Sequence, residues 1–336
     1  AAQVGSYEGL LHTIAHNIRF VLFTILQIFK SVKSRIHSAT CLRFAQIKSG
    51  ATPASIKAED AMRTGINHLF IPGPTNVPER VRQSMNVPMQ DHRAHDFGAP
   101  NMGIFRDLKS LFRTKDGHVL VFPASGTGSW EAAITNTLSP GDRVLMARHG
   151  QFSVLWAQMA QRLGLEVELI DLPWGAGAPI SEFARRLGAD RKGEIKAVFV
   201  THNETATGVT SDIAALRRVM NEAFHDALLF VDGVSSIGCL PFEMDEWGVD
   251  LAVTGSQKGL MMPPGLGFVA VNAQAMAWSA QHADPRFYWD WQRRQSTNQS
   301  AKFCGTPPLA HLAGLEVSLG LLKEEGLSAV HARHHR

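Results

Sequence analysis

Cysteine is scarce in this sequence. Cys41, Cys239 and Cys304 are the only three among 336 residues, and no two of them have the spacing of a metal-binding pair. An odd number without paired spacing favours neither a disulfide framework nor a zinc site. We therefore expect no bound metal and a reducing compartment, which for this chain is the cytoplasm.

The net charge of the chain is also small. The formal net charge is +3, and residues 1–61 carry seven Lys and Arg against three acids, so the rest of the chain is close to neutral. Nucleic-acid-binding domains normally show a basic patch or a strongly basic balance. The charge therefore gives no support for nucleic-acid binding by the globular part.

Long hydrophobic runs are missing as well, so we expect no membrane partner. The apolar stretch at residues 19–30 is too short to cross a bilayer, and residues 9–58 contain no acid at all. A basic, acid-poor segment resembles a transit peptide, which would imply an organelle. The alternative is that residues 1–61 are not native and Met62 is the true start. The second interpretation is favoured, because the fold signal begins only at His68.

Short apolar runs alternate with helix-length segments along the rest of the chain. Strands are predicted at residues 119–122, 143–147, 166–171, 195–200, 228–231, 249–253 and 267–271. Helices are predicted at residues 102–112, 130–138, 152–163, 213–224, 309–325 and 327–336, with Asp212 as an N-cap, and between Pro179 and Gly188 with Ser181 as N-cap. This alternation indicates an α/β fold with a mainly parallel sheet covered by helices on both faces.

Two of the predicted strands lead to residues that can do chemistry. Asp232 directly follows the run at 228–231, and Lys258 lies shortly after the run at 249–253. In open α/β sheets, ligands bind outside the carboxyl ends of the strands. An acid and a lysine at that edge suit a ligand with a basic ring nitrogen and an aldehyde, and pyridoxal phosphate is such a ligand. The simpler alternative is that Asp232 is a turn residue and that Lys258 is a solvated charge.

A loop of small residues lies between the first predicted strand and the next helix. Residues 123–129 read PASGTGS, an arrangement that places backbone N–H groups and a helix N-terminus around an anion such as phosphate. Gly126 and Gly128 also suggest a nucleotide loop, but Glu131 stands in place of the third glycine and a P-loop lysine is missing. Trp130, beside the loop, offers a flat face to an aromatic ring or belongs to the core.

Six separated motifs resemble those of the class V, fold-type I aminotransferases, and in particular the serine–glyoxylate and alanine–glyoxylate enzymes. They are FIPGPTN (70–76), DHR (91–93), SGTGSWEAAITN (125–136), THNETATG (201–208), DGVSSIG (232–238) and TGSQKG (254–259). The set is specific, although no single motif is. The resemblance implies a large domain that binds pyridoxal phosphate over residues 62–308, and a connector helix over 309–336 leading to a small C-terminal domain that is largely missing.

The resemblance also implies roles for individual residues. Lys258 would form the Schiff base with pyridoxal phosphate and shuttle a proton to and from the substrate, while Asp232 would pair with the ring nitrogen. The other cofactor-binding residues would be Ser125, Gly126, Thr127 and Gln257 at the phosphate, Trp130 on the ring, Thr205 at the phenolic oxygen, and Val234.

A homodimer with the cofactor at the subunit interface is implied as well. In the family, a Tyr and a Thr of the neighbouring subunit reach the phosphate. Thr306 keeps its part here, whereas Phe303 lacks the tyrosine's hydroxyl. The family's arginine for the substrate carboxylate lies beyond the end of this sequence, so we expect the chain as given to hold the cofactor but to transaminate poorly. The histidines at 331, 334 and 335 are expected to form a solvated basic face.

The expected reaction is transamination of a small L-amino acid, serine first, with glyoxylate, giving glycine and a 2-oxo acid. Alanine or aspartate is the alternative donor. Sulfur transfer from cysteine would need a nucleophilic cysteine on a mobile loop, and Cys304 lies in a rigid Cys-Gly-Thr-Pro-Pro setting. The remaining alternatives are a non-catalytic or incomplete cofactor-binding chain and a nicotinamide-dependent dehydrogenase.

Overall fold

The computed structural model describes residues 68–94, 96–281 and 285–336, so the predictions for residues 1–61 lie outside it. The strands are β1 (His118–Ala124), β2 (Arg143–Arg148), β3 (Glu166–Asp171), β4 (Ile195–Thr201), β5 (Asn203–Glu204), β6 (Val209–Thr210), β7 (Leu228–Asp232), β8 (Leu251–Gly255) and β9 (Gly265–Val271). The helices are α1 (Glu79–Ser84), α2 (Gly98–Phe112), α3 (Gly126–Thr137), α4 (Gln151–Arg162), α5 (Ile180–Ala189), α6 (Ile213–Glu222), α7 (Ala273–Ala280), α8 (Trp291–Arg294), α9 (Gln299–Lys302), α10 (Leu309–Glu325) and α11 (Leu327–His335).

Seven of these strands form one sheet, in the order β1-β9-β8-β7-β4-β2-β3. From β3 to β8 all neighbours pair in parallel, whereas β9 runs antiparallel to both β8 and β1. The prediction of a mainly parallel sheet is therefore confirmed. The short strands β5 and β6 form a separate antiparallel hairpin.

The central strands are apolar along their whole length because both faces of the sheet are covered. In β4, Val198 and Val200 lie in one hydrophobic cluster with residues of α2, α5, α6 and α10. Ala197 and Phe199 point to the opposite face and lie in a second cluster with residues of α3 and α4. Helices on both faces thus leave only the strand ends free to hold polar groups.

The carboxyl ends of three parallel strands lie side by side. Thr201 at the end of β4 pairs in register with Asp232 at the end of β7, and Asp232 pairs with Val253 of β8. This register follows from the parallel direction of the strands. It places Asp232 in the middle of the edge.

Three local predictions are corrected. β1 continues to Ala124 and α3 begins at Gly126, so little of the predicted loop at 123–129 exists. Ser181 is not the N-cap of α5, because Pro179 holds that position and its carbonyl already accepts the N–H groups of the next turn. Helix α2 begins at Gly98, four residues before the predicted start. The predicted N-cap is confirmed at α6, where the Asp212 side chain accepts from Ala215 N at 2.8 Å.

The last two helices pack on the same core as the sheet. Leu312, Leu315 and Val330 are buried in the first hydrophobic cluster, and Arg80 of α1 pairs with Glu324 of α10. His334 and His335 are exposed, whereas His331 is partly buried. The proposed division of the chain at residue 308 stays a prediction. Among the described helices, none has the length and apolar character needed to cross a membrane.

Candidate active site

Asp232 is a buried carboxyl group at the carboxyl edge of the sheet. Its side chain is only 3% exposed, and Val234 N donates to its Oδ1 at 2.9 Å. Burial raises the pKa of Asp232 to about 7, and the neighbouring acid Glu204 adds to the rise. The N–H of Val234 opposes this shift, as do Trp130 and Lys258. A positive group placed beside Asp232 would therefore be strongly attracted once the carboxyl ionises.

Lys258 lies in the turn after β8, close enough to Asp232 for the two charges to act on each other. Burial lowers the pKa of Lys258, and Asp232 partly reverses the change. The amine donates to the carbonyl oxygen of Pro72 at 2.5 Å. The structure thus brings together the acid and the lysine that the sequence singles out.

The first turn of α3 meets the turn that follows β7. A Cβ on Gly126 would lie 2.8 Å from Cγ2 of Val234, so only glycine allows this approach. Ser125 and Thr127 are exposed on either side of it, and the Ser125 side chain makes no capping hydrogen bond. Free backbone N–H groups and hydroxyls at a helix N-terminus suit a phosphate.

Four buried polar atoms along this edge have no hydrogen-bond partner. They are Ser129 Oγ, Trp130 Nε1, Thr201 Oγ1 and Gln257 Oε1. Trp130 lies near enough to Asp232 to lower the pKa of that carboxyl, although the pair does not meet hydrogen-bond geometry. Buried polar atoms are normally paired, so a cluster of unpaired ones around an acid and a lysine fits a polar ligand. The set matches pyridoxal phosphate, which carries a phosphate, a phenolic oxygen and a ring nitrogen.

Trp130 belongs to a stack of four aromatic rings. The centroids of Trp130 and Trp156 are 5.7 Å apart, those of Trp156 and Phe199 4.6 Å, and those of Phe199 and Phe230 4.7 Å. Trp130 is only 3% exposed. The core interpretation of this residue thus holds for its contact with Trp156, and its stacking on the cofactor ring stays a prediction.

Thr205 lies in the hairpin formed by β5 and β6. The hairpin is fastened to the turn after β7, because Asn203 Nδ2 donates to Ser235 Oγ at 3.0 Å and that hydroxyl donates to Asn203 O at 2.7 Å. Ser235 directly follows Val234. Thr205 therefore lies in a hairpin that is fastened to the turn carrying Val234, directly after Asp232 at the end of β7.

Glu204 is a site residue that the sequence analysis did not single out. Its buried carboxylate accepts from Phe152 N at 3.2 Å and Ser153 N at 3.1 Å, at the start of α4, and from Ala206 N at 3.2 Å. A Cβ on Gly150 would lie 2.2 Å from Cγ of Glu204. Two features of the sequence could have indicated this contact. Gly150 lies directly before a helix, and Glu204 lies inside the motif at residues 201–208.

His202 is a second residue that was missed. Its backbone N donates to the carbonyl oxygen of Asp232 at 2.9 Å, and its Nδ1 lies 2.9 Å from Ser236 Oγ. Burial lowers the pKa of His202 to about 4, so the ring is neutral at physiological pH. It supports the turn after β7 without adding charge to the site.

The segment around residue 304 contributes no nucleophile. Burial raises the pKa of Cys304 to about 11, which leaves almost no thiolate at neutral pH. Phe303 is 1% exposed, and its ring lies 6.1 Å from that of Phe105 in the core. Thr306 is exposed and stays a predicted contact to a neighbouring subunit. Within the described ranges, no group of His, Cys, Asp and Glu has the arrangement of a metal site.

Comparisons with known proteins point to one family. The model of the family "Aminotransferase class-V" matches residues 68–336. The serine–glyoxylate aminotransferase of Hyphomicrobium methylovorum is 52% identical over 271 residues, which are 80% of this chain and 67% of the relative. The L-aspartate–glyoxylate aminotransferase of Paracoccus denitrificans is 50% identical over 273 residues, or 81% of this chain and 69% of the relative.

Solved structures show the same fold. The ureidoglycine–glyoxylate aminotransferase of Bacillus subtilis superposes with a TM-score of 0.73 at 26% identity, covering 81% of this chain and 70% of that one. The alanine–glyoxylate aminotransferase of Nostoc sp. gives 0.72 at 29% identity, covering 83% and 75%. Sequence, fold and site geometry agree. The chain therefore belongs to the class V aminotransferases, a family whose cofactor is pyridoxal phosphate.

Proposed function

We propose that this protein transfers the amino group of a small L-amino acid, with L-serine as the first donor, to glyoxylate, giving glycine and a 2-oxo acid. The observation that carries the proposal is the buried Asp232 beside the half-buried Lys258 at one edge of the sheet. The choice of substrates is supported by relatives named serine–glyoxylate and L-aspartate–glyoxylate aminotransferase.

The roles of the two residues follow from their surroundings. When bound, pyridoxal phosphate supplies an aldehyde that reacts with amines and a ring that accepts electrons. The Asp232 carboxylate would hold the ring nitrogen in its protonated form, because an ion pair shielded from water favours the charged partner. Lys258 would hold the cofactor through its Nζ, and as a free amine it would carry a proton to and from the substrate α-carbon. Its lowered pKa increases the fraction of neutral amine that can do so.

The remaining predicted residues bind and orient. Ser125, Gly126 and Thr127 hold the phosphate at the N-terminus of α3, with Gln257 as a further donor. Trp130 would pack against the ring, and Thr205 of the hairpin and Val234 of the turn after β7 would also contact the cofactor. Because Asp232 is only 3% exposed, water would have little access to a ring nitrogen paired with it.

The attachment site has a direct test. Borohydride reduction of the cofactor-loaded protein, followed by peptide mapping, should place the pyridoxyl group on Lys258. Lys302 is an internal comparison, because burial lowers the pKa of its amine as well. A group found on Lys302 instead would show that a lowered pKa alone directs the reaction and would refute the site.

The proposed substrates can be tested with a panel of amino donors and 2-oxo acid acceptors. L-serine, L-alanine and L-aspartate are offered with glyoxylate or pyruvate, and product formation is followed over time. We expect the highest kcat/KM with serine and glyoxylate. Activity with pyruvate and none with glyoxylate would contradict the proposed acceptor.

We also propose a homodimer in which Thr306 of one subunit contacts the phosphate held by the other. Exposure of Thr306 supports this. Sedimentation should give twice the monomer mass, and Thr306→Ala should weaken cofactor binding without changing that mass. A monomer that binds the cofactor with unchanged affinity after the substitution would contradict the proposal. A cytoplasmic location is supported by the free cysteines Cys239 and Cys304, and cell fractionation would distinguish it from an organellar one.

A further inference from the structure

The turn formed by Pro72 and Gly73 lies directly on the end of the Lys258 side chain. Lys258 Nζ donates to Pro72 O at 2.5 Å. A Cβ on Gly73 would lie 2.3 Å from Nζ and 2.8 Å from both Cδ and Cε. No other residue type at position 73 is compatible with the lysine in this position, whatever its side chain.

The turn is also tied to the main chain on both sides of the lysine. Thr75 N donates to Gln257 O at 3.1 Å, and Thr75 Oγ1 donates to Lys258 O at 3.4 Å. Asn76 closes the segment on itself through two hydrogen bonds with the backbone of Leu69, at 2.8 Å and 2.9 Å. The Pro72 carbonyl is thereby held at a fixed place relative to Lys258, although the two residues are far apart in sequence.

A carbonyl oxygen can only accept hydrogen bonds, so it selects the form of lysine that has hydrogens to donate. The free amine and the ammonium group have two or three, whereas a lysine nitrogen bonded to an aldehyde carbon has at most one. The contact with Pro72 therefore suits the free lysine best, because that form has the most hydrogens to donate. The negative charge of Asp232 also acts on this amine.

We propose that the Pro72–Gly73 turn is a rest position for the free amine of Lys258, and that both residues act as positioning residues. The inference rests on the proposed function, in which the lysine is free during part of each turnover and must then move a proton. A hydrogen bond to Pro72 keeps the amine at the reaction centre instead of letting it extend into solvent. Because Gly73 has no side chain, there is space for the amine in this position.

Reactivity of the cofactor-free protein tests this without any turnover. Acetic anhydride labels amines, and mass spectrometry reports the labelled fraction at Lys258 relative to Lys192, whose side chain is 84% exposed. In Gly73→Ala the amine has to leave the turn, so labelling of Lys258 should rise about fivefold to tenfold, the size of one lost hydrogen bond.

Gly175→Ala is a matched control. Gly175 has a φ of +101°, close to the +109° of Gly73, but a Cβ there meets nothing within 4 Å. Both variants place alanine at a similar positive φ, and only Gly73→Ala puts a Cβ against the lysine. We expect Gly175→Ala to label Lys258 as the wild type does. Equal labelling in all three proteins would refute the rest position.

A milder pair of variants serves if Gly73→Ala does not fold. Thr75→Ala removes the hydroxyl bonded to Lys258 O and loosens the turn, so labelling should rise about twofold to fivefold, as for a weaker hydrogen bond. Thr75→Ser keeps the hydroxyl and should restore the wild-type value. No rise in folded Thr75→Ala would contradict the inference.

The loaded enzyme gives a separate measurement. Because the turn acts on the lysine and not on substrate binding, Thr75→Ala should lower kcat and leave KM for glyoxylate nearly unchanged. A rise in KM at constant kcat would instead assign the turn to substrate binding and refute the inference. Wild-type protein without pyridoxal phosphate absorbance would refute the proposed function itself, whatever the labelling shows.

Discussion

At the scale of single residues, burial decides how Asp232 behaves before the cofactor binds. The unfolded carboxyl releases its proton near its ordinary pKa of 3.8, whereas the folded one keeps it up to about pH 7. Between these values the unfolded state binds fewer protons than the folded state. The contribution of Asp232 to stability is therefore complete below about pH 4 and is lost as the pH rises towards 7.

The variant Asp232→Asn isolates this contribution because it cannot ionise. Urea unfolding of the cofactor-free proteins at pH 4 to 8 should show the wild type losing up to about 4 kcal/mol relative to Asp232→Asn, at 1.36 kcal/mol per pKa unit. Pyridoxal phosphate should remove most of this difference, since the protonated ring nitrogen stabilises the carboxylate. Parallel pH profiles for the two cofactor-free proteins would show that the carboxyl is not perturbed.

At the scale of one element, α4 begins on a carboxylate supplied from elsewhere in the chain. Glu204 accepts the N–H groups of Phe152 and Ser153, and Gly150 leaves the space for it. Gly150 has an extended backbone, with a φ of 178°, so alanine causes no backbone strain there. The effect of Gly150→Ala is therefore purely the contact between its Cβ and Glu204.

We expect Gly150→Ala to destabilise the protein by about 1–3 kcal/mol, through overpacking and lost hydrogen bonds to Glu204. Gly188→Ala is the control, because Gly188 lies inside α5 and its Cβ would meet nothing within 4 Å. That change should be neutral or stabilise by about 0.5–1 kcal/mol. Chemical denaturation measures both, and equal midpoints would contradict the role assigned to Glu204.

What the sequence could predict depends on how local each signal is. Asp232 and Lys258 were found because each follows an apolar run, and parallel strands bring their ends together without further information. The contacts of Glu204 and Gly73 could not be predicted in the same way, because they are made with residues distant in sequence. The antiparallel direction of β9 was also missed, since a strand buried on both faces has the same apolar pattern in either direction.

At the scale of the whole molecule, one buried acid links three elements at the edge of the sheet opposite the active site. Asp250 precedes β8 and accepts from Arg217 at 2.5 Å, from Leu229 N at 2.7 Å and from Asn272 Nδ2 at 2.7 Å. It therefore joins α6, β7 and the N-cap of α7. The Asp250 side chain is 5% exposed and that of Arg217 17%.

Asp250→Ala should cost about 3–5 kcal/mol, because it leaves a buried guanidinium without its partner. Glu324→Gln is the comparison: it removes an ion pair with Arg80 whose side chains are 58% and 61% exposed, and should leave the unfolding midpoint nearly unchanged because water screens the pair. Urea unfolding separates the two. A small loss in Asp250→Ala would show that water reaches Arg217 and replaces the carboxylate.

Among the described strands, β1 pairs only with β9, which the ribosome synthesises much later. Ala124 of β1 pairs with Gly265 of β9, 141 residues later. At roughly 5–20 residues per second, synthesis leaves β1 without its neighbour for roughly 7–30 seconds. During that interval Val121 and Phe122, buried in the finished fold, face the solvent or a chaperone. Slower translation between these two strands would lengthen that exposure and lower the yield of native protein.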